Sequence, residues 1–97
     1  MREQYHALLW FVKQHVLQHM QRFGEKVRSL RQQRGMTVRE LAEALGYSGH
    51  SHISEIETGK REPRVGFILK VAEFFNVSTD QLLKDEVELD GSLRQIE

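Results

Sequence analysis

Thr37, followed three residues later by Glu40 and then by Gly46, narrows most what this chain can fold into. A threonine hydroxyl accepts from the N–H three residues on, and a glutamate there reaches back to the threonine N–H, so the spacing marks a helix start. Val38, Leu41, Ala42 and Leu45 lie between them at helical spacing, and Gly46 suits the left-handed residue that stops a helix. The segment holds barely two turns. Ser48 is the next candidate cap, and a second short helix is expected from about 50 to 57, stopped by Thr58 and Gly59. The chain has a single proline, at position 63, with helix formers on both sides and no β alternation, so an all-α fold is expected.

The flanking sequence carries the same period. Leu9, Val16, Phe23 and Leu30 recur at seven-residue spacing with Val12, Met20 and Val27 between them, an amphipathic stripe that one or two helices share. Gly24 interrupts it and residues 35–37 end it. Beyond Pro63, Val65, Ile68, Leu69, Val71, Ala72 and Phe75 define another helix with Asn76 just past its end, and Ser78 or Thr79 caps a last one closing near Lys84. Two short helices around a glycine-containing turn form the helix-turn-helix pattern. The chain divides into an amphipathic extension (1–21), a five-helix domain (22–84) and an acidic tail (85–97) with little periodicity, expected to be poorly ordered unless a partner holds it.

Composition excludes several function classes. With no cysteine, neither disulfides nor thiolate metal sites are available, which fits a cytoplasmic protein. The apolar run 7–12 ends at Lys13, far short of the roughly 20 residues that span a bilayer. His15 and His19 stand four apart, and His6, His50 and His52 are further imidazoles, but no acid lies near enough in sequence to make a metal site; no metal or cofactor is expected. No nucleophile elbow, phosphate loop or paired-carboxylate motif is present, so the chain reads as a non-enzyme. Net charge is zero, yet residues 22–66 carry nine Lys or Arg against six acids, a net of +3, while 67–97 carry three against seven, a net of −4. The basic middle suits phosphate contact.

The string Leu41-Ala42-Glu43-Ala44-Leu45-Gly46, then Ile53-Ser54-Glu55-Ile56-Glu57-Thr58-Gly59-Lys60-Arg61-Glu62-Pro63, then Leu69-Lys70-Val71-Ala72 with Asn76-Val77-Ser78, resembles the Xre/Cro family of DNA-binding domains, the fold of the phage repressors. The match runs from about Phe23 to Leu83. The resemblance implies a dimeric regulator that binds a palindromic operator and lays its third helix in the major groove. Two departures stand out. Residues 46–53 form a turn one residue longer than usual, and Val38 takes the place of a common glutamine that contacts phosphate or a base edge.

At about 100° per residue with Ile53 inward, Ile56 falls about 60° to one side and Glu57 about 40° to the other. The opposite face holds Ser51, Glu55 and Thr58, with Ser54 on its flank and His50 at the helix start. His50, Ser51, Ser54 and Glu55 are therefore the expected base readers; a glutamate accepts from the N4 amino group of cytosine. Thr37, Arg39, Lys60, Arg61 and Arg64 are the expected phosphate contacts. The resemblance also implies a structural ion pair between Arg31 and the inward Glu57.

The extension adds at least nine apolar side chains, Trp10 and Phe11 among them, and Phe67 and Phe74 stand where the family is commonly small or polar. An N-terminal helix covering Phe67 and Phe74, within the monomer or across a homodimer, would account for both. Two other functions stay open beside the DNA-binding regulator. One is the antitoxin of a toxin–antitoxin pair; the other is an interaction module with degenerate DNA binding, using the extension or the acidic tail to hold a protein partner.

Overall fold

The computed structural model describes residues 21–93. The expectations for the extension, including Trp10, Phe11, His6, His15 and His19, lie outside the described residues, as do residues 94–97. Five helices follow in order: α1 (Phe23–Gln33), α2 (Val38–Ala44), α3 (Ser51–Glu57), α4 (Val65–Phe75) and α5 (Thr79–Leu83). Among the described residues there is no strand, only an isolated antiparallel bridge between Val87 and Leu93. The all-α expectation holds.

Local chemistry sets the boundaries. Thr37 and Glu40 form the reciprocal box at the start of α2, and Ser78 with Gln81 forms another at the start of α5. The first four helices close alike, through the N–H pairs Gly35→Gln32 and Met36→Arg31, Gly46→Glu43 and Tyr47→Ala42, Gly59→Ile56 and Lys60→Glu55, Asn76→Glu73 and Val77→Ala72. Each closure needs one left-handed residue; Gly46 (φ +83°) and Gly59 (φ +80°) supply it without strain, and Asn76 (φ 53°) is a side chain that tolerates it.

Val27, Leu41, Ile53, Val71 and Leu82, one from each helix, are wholly buried and form the centre of the core. Gly24 does more than interrupt a stripe. A Cβ there would overlap the carbonyl oxygen of Ile56 and come within 2.9 Å of that of Glu57, so α1 lies backbone-close against the end of α3.

Phe67 is 2% exposed, and within the domain its ring meets those of Phe23 (6.2 Å), Tyr47 (5.8 Å) and His52 (5.4 Å). Phe74 is half-buried, edge-on to Phe75 at 4.9 Å, with the Arg34 guanidinium 4.8 Å from each of the two ring centres.

The acidic segment corrects the expectation of poor order, because residues 85–93 are folded against α1 and α5. The Asp85 carboxylate accepts from the N–H groups of Gln21 (3.0 Å) and Arg22 (2.9 Å), capping the start of α1. The Arg22 guanidinium donates to the Asp85 carbonyl (2.9 Å) and to both carboxylate oxygens of Glu88 (2.9 and 3.1 Å), which raises its pKa. Lys26, only 1% exposed, donates to the carbonyls of Gln81 (2.7 Å), Lys84 (2.7 Å) and Val87 (2.6 Å). Its three protons meet three acceptors. Burial, helped by the nearby charge of Arg22, pushes the Lys26 pKa down. The clasp thus closes the end of the domain formed by α1 and α5.

Candidate nucleic-acid interface

The α2–turn–α3 unit has one buried side and one open side. On the buried side, Ile53 and Ile56 enter the core, and Glu57 receives Arg31 through two bonds, Nε to Oε2 at 2.8 Å and Nη2 to Oε1 at 3.0 Å. The third contact of Arg31, Nη1 to the Met36 carbonyl at 2.8 Å, ties the pair to the turn leading into α2. With side-chain exposures of 12% and 5%, neither charge has open water to replace its partner, and the bond to Glu57 raises the Arg31 pKa. This pair fixes the rotation of α3 about its axis, and so decides which residues face outward.

Those outward residues are the ones the helical wheel placed there. His50 immediately precedes α3 and Ser51 opens it, both exposed; Ser54 and Glu55 are half-buried. Around them stand Arg39 on α2, Lys60 in the turn after α3 and Arg64 at the start of α4, all exposed. Between α2 and the lengthened turn lies a depression of about 300 Å³ lined by Arg39, Glu43, Tyr47, Ser48 and His50. It is open at the surface that carries the other polar groups.

Thr37 has a double use. Its hydroxyl accepts from the Glu40 N–H (3.1 Å), and the Glu40 carboxylate accepts from the Thr37 N–H (3.0 Å), bonds that hold the Glu40 pKa below its usual value. The hydroxyl proton itself remains available to an acceptor, which suits a phosphate oxygen.

Two features were missed from sequence. Glu55 and Arg61, expected as a base reader and a phosphate contact acting separately, are paired, Arg61 Nε to Glu55 Oε2 at 2.6 Å. A signal existed: the Gly59 turn reverses the chain immediately after α3, which returns Arg61 toward Glu55. The other is the aromatic cluster. His52 is tilted against Tyr47 at 5.1 Å and edge-on to Phe67, and Lys70 lies 4.6 Å over the Tyr47 ring. His52 falls about 40° from Ile56 on a helical wheel, so its inward lean was readable. Among the described residues, no group of acids and imidazoles is arranged to hold a metal, and no helix is long and apolar enough to cross a membrane.

Comparison with known proteins agrees with this geometry. Residues 27–82 match the family model described as Helix-turn-helix. The chain is 42% identical over 65 residues to the HTH-type transcriptional regulator ImmR of Bacillus subtilis, covering 66% of this chain and 50% of that protein. It is 37% identical over 73 residues to the regulator SinR of Bacillus licheniformis, covering 72% and 65%. The uncharacterized regulator YazB of Bacillus subtilis is 38% identical over 64 residues, and 91% of its length is covered. The chain therefore spans about half to two thirds of the first two relatives. No solved structure matches it.

Proposed function

The chain belongs to the helix-turn-helix family, and from that premise we propose that it is a non-enzymatic transcriptional regulator that binds double-stranded DNA sequence-specifically, as a homodimer on a palindromic operator. The observation that carries this reading is the division of α3: Ile53, Ile56 and the Arg31–Glu57 pair lock one side into the core, leaving His50, Ser51, Ser54 and Glu55 on the other. A rigid helix with an exposed polar face is what major-groove reading requires. Arg39, Lys60 and Arg64, with the Thr37 hydroxyl, flank that face at positions suited to phosphate oxygens. The regulator names of the relatives point the same way.

The test is selection of duplexes from a randomised pool by the full chain, followed by titration of the selected site over a range of salt. A two-fold symmetric sequence is expected, its half-sites about 34 Å apart, one helical turn. Affinity should fall steeply as salt rises, since displaced counterions drive part of the binding. Enrichment of a lone half-site would contradict the dimer. Equal affinity for unrelated duplexes at physiological salt would contradict specific DNA reading altogether.

A further inference from the structure

We propose that Arg61 is a positioning residue for Glu55, serving base discrimination rather than phosphate binding; this rests on the DNA-reading role of α3 given above. The backbone brings the two residues together. Gly59 takes the left-handed conformation (φ +80°), and the carbonyl of Glu55 accepts from the N–H groups of both Lys60 (2.8 Å) and Arg61 (3.2 Å). The chain is folded tightly back over the end of α3, and the Arg61 guanidinium meets the Glu55 carboxylate at 2.6 Å.

Burial does not explain the pair. The side chains are 52% and 41% exposed, and ion pairs so open to water add little to folding stability. Chemistry at the reading face does. An unpaired carboxylate approaching the phosphate backbone is repelled, whereas the Glu55–Arg61 pair carries no net charge. Arg61 bonds only Oε2, and Oε1 has no hydrogen-bond partner among the described residues. One carboxylate oxygen is thus neutralised and oriented by protein while the other keeps its lone pairs for a donor, the N4 amino group of cytosine being the base-edge donor a carboxylate accepts from. Lys60, the preceding cation, makes no ion pair among the described residues and remains suited to phosphate.

The experiment uses full-length protein and the duplex that wild type selects from the randomised pool, together with every single-base-pair variant of it. Wild type is expected to discriminate about 5- to 150-fold at the position Glu55 reads, and Glu55→Ala should abolish that preference there alone. Arg61→Ala should reduce the preference at the same position to a few-fold, with the slope of log affinity against log salt unchanged. Adding Arg61→Ala to Glu55→Ala should cause no further loss of discrimination, and Arg61→Lys should restore part of it. Unchanged circular-dichroism melts would show that these exposed substitutions leave the fold alone. If Arg61→Ala instead weakens all duplexes alike and lowers the salt slope by about 0.9, Arg61 is a phosphate anchor and the proposal is overturned. It is overturned equally if Glu55→Ala alters no position. If wild type selects no sequence, the failure is that of the DNA-binding function, and the role of Arg61 falls with it.

Discussion

The two ends of this domain use the same residue types to opposite purposes. At the α1–α5 end, Arg22, Lys26, Asp85 and Glu88 are consumed by one another and by backbone carbonyls, closing the chain over itself. At the α2–α3 end, Arg39, Lys60 and Arg64 stay in solvent beside a polar helix face. Net charge conceals this, because a protein with a formal charge of zero still presents Arg39, Lys60 and Arg64 to solvent at one end. The contrast recurs within α3, where Glu57 is held in the interior by Arg31 and Glu55 lies at the surface with Arg61. Internal pairs should govern stability, and surface charges should govern binding.

The sharpest way to break that contrast is Glu57→Ala. It strands the Arg31 guanidinium at the centre of the α1–α3 contact, and unfolding in urea should show a loss of about 3–5 kcal/mol. A loss below about 1 kcal/mol would mean that the pair is solvated and does not set the orientation of α3.

Lys26→Met tests the clasp. Three carbonyls lose their donor, at about 1–3 kcal/mol for each group left buried without a partner, partly offset where the loosened segment readmits water. Urea unfolding should report a net loss smaller than that of Glu57→Ala, and amides between residues 85 and 93 should exchange faster with solvent. Unchanged exchange there would show that Lys26 does not hold the segment.

Lys60→Ala should act on binding alone. The melting temperature should stay as it is, while affinity for all duplexes falls together and the salt slope drops by about 0.9, the contribution of one phosphate contact. A change of base preference at a single position would instead make Lys60 a reader.

What could be read in advance follows the range of the interactions. Contacts closed within one helical turn were legible: the Thr37–Glu40 box, the end of α4 at Asn76, and the start of α3 within a residue of His50. The outward face of α3 followed from period alone, and Arg31 as the partner of the inward Glu57 from family resemblance. The clasp was not legible, because Asp85 caps residues 63 and 64 positions earlier in the chain and no periodicity links them. A charged, aperiodic segment suggests poor order because nothing local signals that its acids have internal donors. The aromatic cluster was legible only in part: the inward lean of His52 follows from its helical period, but its meeting with Tyr47 and Phe67 joins three separate parts of the chain that no local period links.

The most direct test of the division between a reading end and a structural end is an amide chemical-shift titration of the full chain with its selected duplex. The largest shifts are expected at Thr37, Arg39, His50, Ser51, Ser54, Glu55 and Lys60, with Lys26, Val87 and Leu89 scarcely moved. Shifts concentrated around residues 85–93, with the outward face of α3 silent, would contradict the account.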